Sequence, residues 1–219
     1  MSKVKVISSA ATGLCVLGLT AVGALATGQE PDWIELTGKR YALLVNPLEA
    51  YFEQNPSRRP EPRIVSTARW RGYAAHFAIA NGELVVTDVR VLTDVDGGER
   101  SAMNEAFPGA TRVVATWFTG NLLIPNGKMK RYVHMGYGSE YVRYIVIAVE
   151  AGAAAAPRQL SGRDFAAFRR SQFEAYKRTD DYRRALKETM GGREPMSGAD
   201  AERFLFDFGS ANYMSRFFK

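Results

Sequence analysis

Beyond residue 26 the dominant apolar period of this chain changes once, from two to 3.6, near Ala153 to Ser161. Period two lines one face of a strand, whereas period 3.6 lines one stripe of a helix. The expected fold is therefore α+β: an antiparallel sheet of about six strands, followed by two or three helices packed on it. Residues 27–152 read as a β-rich region and 153–219 as a helical segment packed on the same domain.

Turn chemistry sharpens this reading. Tyr73 to Ala80 and Glu83 to Leu92 flank Asn81-Gly82, the pair that supplies two positive φ angles to a type I′ hairpin turn. Tyr41 to Val45 is a short apolar run ended by Asn46-Pro47, because the residue before proline is steered away from helix. Pro47 to Pro62 holds four prolines and reads as a surface connection with one helical turn at Leu48 to Phe52. Asp94 to Pro108 reads as a loop with a short helix. Thr111 to Thr119 and Asn121 to Ile124 resume strand character, and Pro125-Asn126-Gly127 offers a turn into Lys128 to His134. Tyr141 to Val149 is β-branched or aromatic at seven of nine positions. Its centre is apolar on both faces, so it needs a cover, which the helices can supply.

Ala151 to Pro157 reads as a small-residue linker. Asp164 to Arg178 then carries Phe165, Phe168, Phe173 and Tyr176 near one face. A second helix spans Asp181 to Met190 and stops at Gly191-Gly192, and Ser197-Gly198-Ala199-Asp200 resembles a capping box before a third. Core packing accounts for this aromatic stripe better than a cofactor box. Phe217 and Phe218 at the chain end are expected to dock.

The N-terminus has the form of an export leader. Lys3 and Lys5 precede a stretch, Val6 to Gln29, whose only ionisable side chain is Cys15. Its most apolar part, Leu14 to Ala26, is shorter than the roughly 20 residues of a bilayer span, and Ala24-Leu25-Ala26 forms a cleavage pattern. Residues 1–26 are thus expected to be a signal peptide, with a periplasmic or secreted product and no membrane span after cleavage. Bulky Leu14 before Cys15, early in the apolar run, argues against lipidation.

Cleavage removes the only cysteine, and with it disulfides, thiolate nucleophiles and cysteine metal ligands. It leaves 27 basic residues against 23 acidic ones. This mild excess reads first as a solvated surface of mixed charges and, as a partner signal, as favouring anionic envelope polymers or an acidic protein, while the compartment and the lack of a dense basic block disfavour nucleic acid. With only His76 and His134, and no zinc-type spacing, no metal site is expected. No dinucleotide fingerprint, phosphate-binding loop or nucleophile elbow is present, so no cofactor is expected.

Two segments are richer than packing requires. Trp70-Arg71-Gly72-Tyr73 enters the hairpin; Trp117-Phe118-Thr119-Gly120 is followed by His134-Met135-Gly136-Tyr137-Gly138-Ser139-Glu140-Tyr141. Trp70, Arg71, Trp117, Tyr137 and Tyr141 are the candidate binding residues, since tryptophan, tyrosine and arginine anchor recognition surfaces. His134, with Glu140 or Ser139, is the candidate acid-base set. These segments, with Ile124 to Gly127 and Asn46-Pro47-Leu48-Glu49, resemble those of a family of uncharacterised bacterial proteins over roughly Leu36 to Gly152. The resemblance implies a β-rich module of a Gram-negative bacterium and transfers no activity.

Three functions are compatible with these features. The first is an exported, non-catalytic binding protein of the envelope, for example an immunity protein against a delivered toxin. The others are a small hydrolase using His134, and an assembly factor whose basic helical tail grips another envelope component.

Overall fold

The computed structural model describes residues 29–62, 66–94, 96–134, 136–192 and 195–217. The expected leader and Cys15 lie outside the described residues. Among the described residues, twelve strands and six α-helices follow one another. The first strands are β1 (Asp32–Leu36), β2 (Lys39–Leu43), β3 (Ala74–Ala80) and β4 (Glu83–Leu92), with α1 (Glu49–Gln54) between β2 and β3. Next come β5 (Glu99–Ser101), α2 (Met103–Ala106), β6 (Val113–Val114), β7 (Gly120–Pro125), β8 (Met129–Arg131), β9 (Glu140–Tyr141) and β10 (Arg143–Glu150). The chain finishes with β11 (Ala153–Ala154), β12 (Arg158–Ser161), α3 (Gly162–Tyr176), α4 (Asp180–Met190), α5 (Gly198–Phe208) and α6 (Ser210–Met214).

The fold is α+β with a mostly antiparallel main sheet, but that sheet has ten strands rather than about six. The strands beyond the expected ones, β1, β5, β11 and β12, are two to five residues long, too short to show a period. Two of them lie in residues 153–161, so the sheet runs on to Ser161 before the helices begin. The path β12-β10-β11-β4-β3-β1-β2 has β7 on the other side of β10. The Leu44 N–H donates to the Leu123 carbonyl at 2.8 Å, carrying the end of β2 against β7 and nearly closing a barrel. Such closure leaves few free edges.

The β3–β4 hairpin pairs Ala80 with Glu83 across Asn81 and Gly82, whose φ angles are 54° and 78°. Asn126-Gly127 does not make a second hairpin. β7 pairs with β10, while β8 pairs only with β9 in a separate two-stranded sheet. β1 lies parallel to β3, so β1, β2 and β3 cannot form a simple meander.

Ile34, Phe77, Leu84, Val86, Leu122 and Ile147 form part of one continuous buried cluster. Each such side chain contributes roughly 1.5–3 kcal/mol through lost water contact. β10 is buried on both faces, with Tyr144 stacked on Phe165 of α3 at 3.6 Å and 8°. Capping starts the long helices: Ser161, Thr179 and Ser197 each accept a backbone N–H three residues on. Phe173 makes edge contacts with Tyr182, Phe206 and Tyr213, which ties the helices together.

The C-terminal segment docks through Tyr213 and Met214, both fully buried, whereas Phe217 is exposed and Phe218 lies outside the described residues. Among the described residues, no helix is long and apolar enough to cross a membrane.

Candidate functional site

Trp70-Arg71-Gly72-Tyr73 assigns a different task to each residue. A 3-10 turn, Thr67–Arg69, is capped by Ser66 Oγ, which accepts the Ala68 N–H at 3.2 Å. Arg69 points inward to Glu30 and Glu99, and Arg71 points inward to Asp32. With both neighbours anchored inside, Trp70 stands outward and remains 67% exposed. Gly72 has φ 83°, and a Cβ there would meet Pro62 Cγ at 2.8 Å, so glycine is needed for both conformation and room. Tyr73 is fully buried and donates its hydroxyl to Glu49 at 2.6 Å.

Arg71 is the centre of the buried polar floor. Nη1 donates to Asp32 Oδ1 at 3.1 Å and to Asn46 Oδ1 at 2.5 Å, and Nη2 donates to the Glu30 carbonyl at 3.0 Å. Asp32 Oδ1 also accepts the Ala75 N–H at 2.9 Å, and Tyr137 donates its hydroxyl to Asn46 Oδ1 at 2.8 Å. Burial pushes the Asp32 carboxyl above its ordinary value, and the Arg71 charge and Ala75 N–H offset only part of this. Burial also pushes Tyr137 upward. Asp32 Oδ2 and Arg71 Nε have no hydrogen-bond partner among the described residues.

Above this floor lies a cleft of about 580 Å³. Trp70, Arg71, Trp117 and Tyr137 line it together. Trp117 is half-buried, donates Nε1–H to the Pro47 carbonyl at 3.1 Å and stacks on Phe107 at 5.6 Å and 18°. Its ring is thus fixed before any ligand arrives. Asn46, Glu49 and Glu53 approach from α1 and its N-terminal side, and Phe208 and Arg216 come from the helical end of the chain. The segments around Asn46, Trp70, Trp117 and Tyr137, far apart in sequence, meet here.

Tyr141 does not reach this cleft. It lines a second pocket with Ser139 and Glu140, and Tyr137 borders both. His134 lines neither: its ring lies edge-on to Tyr132 at 4.7 Å, with Nδ1 3.5 Å from the Tyr132 hydroxyl. Ser139 Oγ is engaged with the Val133 backbone. Glu140 pairs with Arg131 at 2.5 Å, and that bond holds its carboxyl below the ordinary value. Among the described residues, no hydrogen bond joins His134 to Ser139 or Glu140, the geometry an acid-base pair requires. His76 sits on β3, where burial lowers its pKa.

Sequence reasoning missed Asp32 and Glu53. Asp32 precedes Arg71 by 39 positions, and no local pattern links them. Glu53 is one helical turn beyond Glu49, a spacing that places both on one face of α1. Among the described residues, no group of three or more His, Cys, Asp or Glu side chains is placed to hold a metal ion. No family model, curated protein or solved structure matches the chain.

Proposed function

We propose that this protein is an exported, non-catalytic binding protein of the bacterial envelope, and that the Trp70–Trp117 cleft is its recognition surface. The supporting observation is that the outward Trp70 ring and the fixed Trp117 ring line one cleft above a floor built on the buried Arg71–Asp32 pair. A ring held in advance, as Trp117 is, gives large contact area at low entropic cost.

Charge narrows the partner. Arg71 is neutralised by Asp32 and Arg216 is paired with Asp181, whereas the Glu53 carboxylate makes no ion pair or hydrogen bond among the described residues. An unpaired carboxylate beside indole rings suits a basic side chain of a partner protein. A toxin countered in the periplasm is one such partner.

The test is capture from envelope extract on the exported protein and on its Trp70→Ala and Glu53→Gln variants. The expected result is one identified component, retained by the native protein and lost from both variants while their thermal melts stay native. Equal retention by all three, or no retained component, would overturn the reading.

A further inference from the structure

We propose that the second pocket, bounded by β9, β10 and α3, is a site for a small ring-bearing organic anion. Its volume of about 370 Å³ falls within the roughly 300–1,000 Å³ of small-molecule sites.

The charge of its lining is one-sided. Lys130, Arg131, Arg163, Arg169 and Arg170 face Glu140 and Asp207. Glu140 is taken by Arg131. Arg169 is committed to the Tyr213 hydroxyl and to the Phe206 and Asp207 carbonyls, with Asp207 Oδ1 4.0 Å away. The side chains of Lys130, Arg163 and Arg170 make no hydrogen bond and no ion pair within 4.0 Å among the described residues. Five cations against two carboxylates around one concavity raise the local concentration of anions.

The walls select the body of that anion. Tyr144 and Phe165 stack face to face, Tyr141 meets Tyr144 edge-on at 5.9 Å and 86°, and Phe206 closes another side. Buried Leu123 and Met214 complete the apolar lining. Aromatic faces and edges favour a planar ring, and the arginines favour a carboxylate or phosphate attached to it. The site is independent of the Trp70 cleft, although Tyr137 borders both.

The test is calorimetric titration of the purified protein with 1-naphthyl phosphate, with 1-naphthol and inorganic phosphate as controls. Single-site binding of the ester at least about tenfold tighter than either control is expected. Arg163→Gln and Arg170→Gln should each weaken it by about threefold or more, with native melts, and added salt should weaken it further. Trp70→Ala should leave it unchanged, which separates this site from the proposed recognition surface. Equal binding of naphthol would remove the role of charge, and equal binding of inorganic phosphate would remove that of the ring. Either result, or indifference to both arginine substitutions, would overturn the proposal.

Discussion

Arg71 and Asp32 form an ion pair, Nη1 to Oδ1 at 3.1 Å, in which neither side chain reaches solvent. Removing one partner strands the other charge in a medium that cannot solvate it. Arg71→Met should therefore lower stability by about 3–5 kcal/mol. Adding Asp32→Asn removes the stranded charge while keeping an acceptor for the Ala75 N–H, so the double variant should regain more than about 1 kcal/mol. Urea unfolding of both variants measures this, and absence of any recovery would show that the two groups are not coupled.

Trp70 and Trp117 line one cleft but differ in what holds them. Trp70→Ala should change stability by less than about 0.5 kcal/mol, since the ring is mostly in water. Trp117→Ala removes contacts with Phe107 and Tyr51 and the bond to Pro47, and should cost about 2 kcal/mol or more. Parallel thermal melts distinguish them; equal losses would contradict the assigned roles.

Gly120 lets the C-terminal segment cross β7. A Cβ built there would collide with the Ser215 carbonyl oxygen, which accepts the Asn121 N–H at 3.1 Å. Asn121 Nδ2 adds bonds to the Met214 and Arg216 carbonyls, both at 3.3 Å. Gly120→Ala should cost about 1–3 kcal/mol through overpacking and speed proteolysis near residues 209–217. Unchanged proteolysis would mean that the segment is held elsewhere.

Glu49 makes part of the stability depend on pH. Burial raises its carboxyl pKa, but hydrogen bonds from Arg59 and Tyr73 outweigh burial and bring it below the ordinary 4.5. A depressed carboxyl binds its proton less readily in the folded state, so its contribution is present above the ordinary value and lost as pH falls through the folded one. Glu49→Gln should flatten the loss of melting temperature between about pH 5 and about pH 3. An unchanged slope would assign that loss to other carboxylates.

The legible parts of the molecule are those whose cause lies within a few residues. Asn81-Gly82 announces its turn because few other pairs accept two positive φ angles, and Ser197 and Asp200 announce a helix start because their groups bond across three positions. Short strands such as Glu99–Ser101 carry no pattern of their own and take their form from pairing with β4. At the site, the chemical richness of Trp70, Arg71, Trp117 and Tyr137 is legible in the sequence, while no local pattern marks Asp32. Tyr141 shared a segment with Tyr137, yet the backbone between them directs it to the other pocket.

By itself, then, the sequence determined the β-then-α order, the hairpin, the helix caps and the aromatic stripes, because periodicity, φ preference and capping act over neighbouring residues. Only the tertiary structure decided the parallel β1–β3 pairing, the approach of β2 to β7, the burial of Arg71 on Asp32 and the meeting of four distant segments in one cleft. Those choices depend on which faces and charges can leave water together, and that is a property of the assembled core rather than of any stretch of chain.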